Sequence, residues 1–171
     1  MNAVPYEQLF SIDKYILGRL SEIVKEADEA YKEYSFSRVN QALFQLSNTD
    51  LSSFYLDIAK DRLYISSKDD VRRRSCQTVL HHILQQFAVI MAPIVPHMAE
   101  DVWQNIPYTK PTSSVFEMGW VKEQDTFPAH DEELWTKMRL LRNDVNKCIE
   151  LARQKKEVML DSLQHHAFHL T

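Results

Sequence analysis

Between Pro5 and Pro93 the chain contains no proline, and its 171 residues include only two glycines, Gly18 and Gly119. Tight β-turns draw on glycine for positive φ and on proline for a fixed φ, so a sheet protein of this length would need many more of both. The scarcity selects long helices joined by few turns. The fold expected is all-α, a helical bundle of about five to six helices with an extended connector before the last long one.

Apolar spacing divides the chain accordingly. From Tyr6 to Tyr34, Leu9, Ile12, Ile16, Leu20, Ile23, Ala27 and Ala30 or Tyr31 recur at three- and four-residue steps, the stripe of one amphipathic helix with an acidic opposite face. Ser35 can cap a second helix carrying Phe36, Val39, Leu43 and Leu46 inward. The polar break Ser47-Asn48-Thr49-Asp50 leads into LSSFYLDIAKDRLY (Leu51 to Tyr64), whose Leu51, Phe54, Tyr55 and Ile58 form a seam opposite Asp57, Lys60 and Asp61. Spacing leaves open whether these are one kinked rod or two helices. A turn ending in the capping carboxylate of Asp70 starts a fourth helix, with Cys76, Val79 or Leu80, Ile83, Phe87 and Ile90 inward. From Ile83 to Val95 apolar side chains occur nearly all round, which predicts burial on several sides and makes this the central helix.

Pro93 and Pro96 end that helix and open a short fifth one with Met98 or Ala99, Val102 and Ile106. Pro107 to Pro128 reads as an extended connector pinned by Val115, Phe116 and Trp120, and Asp131 can cap the last helix. The expected organisation is a bundle core over 1–106, the connector over 107–130, a basic helix over 131–156 and a tail over 157–171 without a clear period.

Bulk properties exclude several classes of function. No apolar run approaches the ~20 residues needed to span a bilayer, and Met1-Asn2-Ala3-Val4-Pro5 lacks the features of a signal peptide. Two cysteines, Cys76 and Cys148, give no disulfide framework, read as buried helix residues and point to a reducing, cytoplasmic setting. Catalytic candidates do not converge. His81-His82, and His165 with His169 one turn apart, lack the third or fourth ligand a metal needs, and no glycine-rich loop exists to cradle phosphate. Asp57 and Asp61 adjoin Lys60 and Arg62 and read as ion-paired surface groups. The expectation is no catalytic residue, no metal site and no cofactor within the chain.

The basic groups carry more information. Arg72, Arg73 and Arg74 fall in the first turn of the fourth helix, where positive charge opposes the helix dipole. Pairing of Asp69 with Arg73 and Asp70 with Arg74 would be one explanation, contributing a few tenths of a kcal/mol each. Recognition of phosphate is the other. From Thr136 to Lys156 the last helix carries Lys137, Arg139, Arg142, Lys147, Arg153, Lys155 and Lys156 against Asp144 and Glu150, in a chain whose formal net charge is −4. Such asymmetry fits a surface that follows a polyanion.

Five runs then identify a family resemblance: DLSSFYLDIAKDRLY (Asp50 to Tyr64), RRSCQT (Arg73 to Thr78), MAPIVPHMAEDVW (Met91 to Trp103), SVFEMGW (Ser114 to Trp120) and LRNDVNKCIELAR (Leu141 to Arg153). In order and content they resemble the C-terminal part of isoleucyl-tRNA synthetases. The MAP-x-x-PH-x-AE-x-VW pattern is shared with the related class I enzymes for valine, leucine and methionine, whereas FYLD-x-x-KDRLY followed by RRS is closer to the isoleucine enzyme. The resemblance implies a helical domain holding the anticodon stem and loop of isoleucine tRNA. It also implies that ATP and Mg chemistry belongs to a separate nucleotide-binding domain with HIGH-type and KMSKS-type motifs, absent from this sequence, so the chain alone should be inactive. The family's zinc module uses clustered cysteines, which this sequence lacks.

Anticodon bases are splayed out, stacked on aromatic or Arg planes, and their backbone is held by Lys and Arg. On this physical ground the tRNA-binding candidates are Lys60, Arg62, Arg72, Arg73, Arg74, Lys137, Arg139, Arg142 and Lys147, with Tyr55 and Tyr64 as stacking candidates beside their reading as core aromatics. The implied partners are isoleucine tRNA and the catalytic domain of the same enzyme. A mitochondrial or plastid location is the alternative to the cytoplasm for a bacterial-type enzyme. The competing readings are the equivalent domain of a valyl- or leucyl-tRNA synthetase and a helical protein-interaction module that binds no RNA.

Overall fold

The computed structural model describes residues 3–108, 110–122 and 126–154, and among them every regular element is helical. The chain divides into two compact units, Met1–His130 and Asp131–Thr171.

The first unit is built on α1 (Ser11–Lys32) and α4 (Val71–Met91). Helix α1 lies against α2 (Phe36–Phe44), the segment that follows it, and α4; α4 lies in turn against α3 (Leu56–Tyr64), α5 (Pro96–Gln104) and a 3-10 turn at Val115–Glu117. Two helices thus share the centre, where periodicity pointed to the fourth alone. Contact on two sides widens the apolar face of α1 beyond a stripe: Tyr15, Leu17 and Val24 are buried together with Ile16, Leu20, Ile23, Ala27 and Ala30.

The first helix is shorter than its apolar spacing suggests. A 3-10 turn, Tyr6–Gln8, and extended backbone at Leu9 and Phe10 precede it. Leu9 is buried without being helical, and the lead-in is tied down by Val4, whose N–H donates to Thr78 Oγ1 at 3.1 Å. At the other end, Ser35 N donates to Ala30 O at 2.8 Å and Tyr34 N to Tyr31 O at 3.1 Å, with Tyr34 at φ 56°. This backbone closure takes the place of the expected Ser35 cap, whose side chain makes no capping bond.

The two helices either side of the polar break are one continuous helical run. Gln45–Tyr55 winds as a π-helix between α2 and α3. In that wider winding each N–H reaches five residues back, so inward positions recur at longer steps. Burial follows: Val39, Ala42, Leu43 and Leu46 recur at three and four, then Asp50, Phe54 or Tyr55, and Ala59 at four and five. Asn48 and Thr49 remain on the surface, while Asp50 turns inward and meets Arg19 of α1 at 3.5 Å.

Asp70 caps α4 as its position predicts, its Oδ1 accepting from Arg72 N at 2.7 Å, and Pro96 sits in the first turn of α5. The expected burial through Val95 stops at Ala92, since Ile94, Val95 and Met98 are exposed. Once proline ends the helix, the 3.6-residue period no longer decides which way side chains point. Val115 is buried beside α5, where Glu100 Oε2 accepts from Val115 N at 3.0 Å and Ser114 Oγ at 2.9 Å, and Trp103 Nε1 donates to Thr112 O at 3.2 Å. Trp120 meets Tyr31 edge to face with ring centres 5.4 Å apart, and Phe116, 58% exposed, pins nothing. The connector is held further along by residues the spacing did not single out. Tyr108 packs on His81, Phe127 on Tyr6 and His82, and His130 on Tyr15.

The second unit contains α6 (Glu132–Gln154). Asp131 caps it, Oδ1 accepting from Leu134 N at 3.0 Å. None of its described residues is buried, and Cys148 is exposed, against the expectation of two buried cysteines; Cys76 fits that expectation.

Candidate nucleic-acid interface

The end of α3 and the beginning of α4 form a corner around one buried carboxylate. Asp13, in the first turn of α1, is fully buried, and a charge there requires partners. It has them in Arg62, whose Nη1 reaches Oδ1 at 2.9 Å and whose Nη2 reaches Oδ2 at 2.6 Å, and in Tyr55, whose hydroxyl donates to Oδ1 at 2.7 Å. Arg62 continues across the corner, donating from Nε and Nη2 to the Arg72 carbonyl at 3.2 and 2.9 Å. The ring of Phe10 lies over its guanidinium at 5.1 Å.

The local electrostatics follow from this burial. Removal from water pushes the Tyr55 phenol far up, and the Asp13 charge adds to it; burial likewise raises the Cys76 thiol. For Arg62 burial works against the charge, yet hydrogen bonds and attraction from Asp13 hold its pKa above the ordinary value.

The sequence candidates separate on this geometry. Tyr64, two residues beyond Arg62, is 85% exposed, and Ile65 next to it and Val71 at the start of α4 are exposed as well. Arg72 projects outward, its side chain 59% exposed and its Nε 3.6 Å from Asp70 Oδ1. Arg73 donates to the Ser66 carbonyl at 3.2 Å, and Arg74 is partly buried, its carbonyl accepting from Thr78 Oγ1 at 2.8 Å. Of the acids before this turn, Asp70 takes the capping bond from Arg72 N, and Arg73 turns to the Ser66 carbonyl. Lys60 pairs with Asp57 at 2.9 Å. Tyr55 belongs to the core, so its ring offers no open face for stacking, and Arg62 is held inward with a side chain 14% exposed.

The last turns of α3 thus carry Lys60, Arg62 and Tyr64 and the first turn of α4 carries Arg72 and Arg73, the two ends joined by the bonds of Arg62 to the Arg72 carbonyl. Lys137, Arg139, Arg142 and Lys147 lie on α6, with Lys137 paired to Glu133 and Lys147 3.6 Å from Asp144. Asp13 and Phe10 were missed by pattern reading. Asp13 looks like one more acid on a helix already rich in them, and only its place between Ile12 and Ile16 hints that it points inward.

His81 and His82 are taken up by packing on Tyr108 and Phe127, and burial holds the His81 pKa below its ordinary value. His165 and His169 lie outside the described residues, as do Lys155, Lys156 and the tail. Among the described residues no group of three His, Cys, Asp or Glu side chains could hold a metal ion. No helix among them is long and apolar enough to cross a membrane.

Comparison with known proteins agrees with the motif resemblance. A family model described as the anticodon-binding domain of tRNA ligase matches residues 13–166. Isoleucine-tRNA ligase of Cyanothece sp. is 49% identical over 160 residues, covering 92% of this chain and 17% of the relative. The isoleucine-tRNA ligase of Thermosynechococcus vestitus is 48% identical over 157 residues (90% and 16%), and that of Gloeobacter violaceus 44% over 156 (91% and 16%). The chain spans about one sixth of the length of the curated relatives it matches. With a helical bundle in hand and a family match running from the buried Asp13 through α6, the chain belongs to the anticodon-binding domain family of tRNA ligases.

Proposed function

We propose that this chain binds the anticodon arm of isoleucine tRNA and supplies tRNA recognition for ATP-dependent isoleucyl-tRNA formation in protein biosynthesis. The carrying observation is the run Asp50 to Tyr64, quoted above for its likeness to isoleucine enzymes, which ends in the exposed ring of Tyr64 at the turn into α4, whose first residues include the exposed side chain of Arg72. Unpaired bases offer π-faces to such a ring, and the backbone between them offers phosphates to the basic side chains. The cations of α6 supply a second set of phosphate contacts.

Joining isoleucine to tRNA, with its ATP and Mg, belongs in this proposal to a nucleotide-binding domain of the same enzyme, which uses the binding energy gathered here to place the acceptor end. The setting is the cytoplasm. Titrating the purified chain with isoleucine tRNA and with valine tRNA across a salt series tests the reading. Tighter binding of isoleucine tRNA with a negative salt slope supports it. Equal binding of both removes the isoleucine assignment, and absence of binding at low salt removes RNA binding.

A further inference from the structure

We infer that Arg62 does not contact the RNA but is a positioning residue that fixes the α3–α4 corner, so that Tyr64 and Arg72 are presented in place before tRNA arrives. The inference rests on the tRNA-binding reading proposed above.

Three observations carry it. First, the guanidinium is already committed. Its bonds to Asp13 and to the Arg72 carbonyl use four of the five N–H donors a guanidinium has, and Phe10 covers its ring-like face. A phosphate taking more than the single remaining N–H would have to displace Asp13 or the Arg72 carbonyl, and loss of the Asp13 bonds would leave a buried carboxylate with only Tyr55 as partner. Second, the bonds span three elements: the first turn of α1, the last turn of α3 and the first turn of α4. They close the turn 65–70 from within, between Tyr64 on one side and Arg72 on the other. Third, a buried ion pair is a poor device for stability, because desolvation offsets much of its attraction and an apolar replacement often does as well. What a bidentate pair supplies is geometry. An ordered corner meets RNA without the entropy loss of ordering a loop at the moment of binding.

Two substitutions separate this from a phosphate contact. Arg62→Lys keeps the charge and loses the planar fork; Asp13→Asn leaves Arg62 in place but loosens its hold, at a position too buried to touch RNA. Each is measured with the anticodon hairpin of isoleucine tRNA across a salt series, at a temperature where circular dichroism shows the variant folded. Amide hydrogen exchange over Ile65–Arg72 is followed in the free proteins. Positioning gives both variants about tenfold weaker binding, an unchanged slope of log K against log salt, and faster exchange over the turn. Arg72→Ala, in contrast, loses about 0.7 to 0.9 of slope as one phosphate contact goes.

A lowered slope in Arg62→Lys, or tighter binding in Asp13→Asn, identifies Arg62 as a phosphate contact and overturns the inference. Unchanged affinity in both folded variants overturns it too, leaving the pair a purely structural feature. Should Arg62→Lys not fold, Asp13→Asn alone decides by the sign of its effect. If the unsubstituted chain does not bind the hairpin, the underlying functional reading has failed, and the positioning role goes with it.

Discussion

Gly18 and His130 meet so closely that a Cβ built on the glycine would sit 3.0 Å from the imidazole Nδ1 and 3.1 Å from the Pro128 carbonyl oxygen. A glycine in mid-helix normally weakens the helix by ~0.5 to 1 kcal/mol relative to alanine. Here the missing side chain lets the connector lie against α1. Phe127 N donates to Ser21 Oγ at 2.6 Å one turn further along, so the backbone carbonyl at Pro128 has little room to yield. Gly18→Ala is therefore expected to forfeit the usual gain and destabilise the protein by about 1 kcal/mol, read as a lower urea midpoint with an unchanged m-value.

Tyr34 presents the opposite case. It occupies a left-handed conformation at the end of α1, 81% exposed, where glycine has no steric penalty. Tyr34→Gly should raise stability by about 1 kcal/mol, measured by thermal or urea unfolding, with RNA binding unaffected.

Removing one member of the buried pair should be costly. Asp13→Ala strips Arg62 of its carboxylate and Tyr55 of its acceptor inside the core, and a loss of about 3 to 5 kcal/mol follows for such broken pairs. Replacing both Asp13 and Arg62 with apolar residues should recover much of that loss, because no charge is then left unpaired. A double-mutant cycle by urea unfolding measures the recovery.

Tyr31 should contribute to alkaline unfolding, alongside the more deeply buried Tyr55. Burial pushes the Tyr31 phenol up to about 12, and its hydroxyl donates to the Ile90 carbonyl at 2.7 Å. The folded state thus holds the proton to higher pH than the unfolded state, whose phenol titrates near 10. The contribution is complete below pH ~10 and is lost as pH rises toward 12. Tyr31→Phe should flatten the fall of melting temperature over that interval.

Much of the architecture was legible in the sequence because helix-forming rules are local. The absence of proline between Pro5 and Pro93, the Asp70 and Asp131 caps and the stripe of α1 each act within a turn or two and reappear in the structure. The π-helical winding of Gln45–Tyr55 was not legible. Its polar break warned of a phase shift, but Asp50, which the shift turns inward, meets its partner Arg19 in another helix. The same non-locality hid the chemistry of the candidate site. Arg62 reads as a surface cation until Asp13, far back in the chain, is brought beside it; Arg72 reads correctly as exposed, whereas Tyr64, whose place in an aromatic-rich stripe reads as core, is 85% exposed because no other element among the described residues covers it.

The most direct measurement is binding of the purified chain to two RNA hairpins, one carrying the anticodon stem-loop of isoleucine tRNA and the other identical but with its anticodon bases replaced. At fixed moderate salt the account expects the isoleucine hairpin to bind about tenfold tighter, with Tyr64→Ala erasing most of that preference and Arg72→Ala weakening both hairpins alike. Equal affinity for the two hairpins, or no binding to either at low salt, would contradict it.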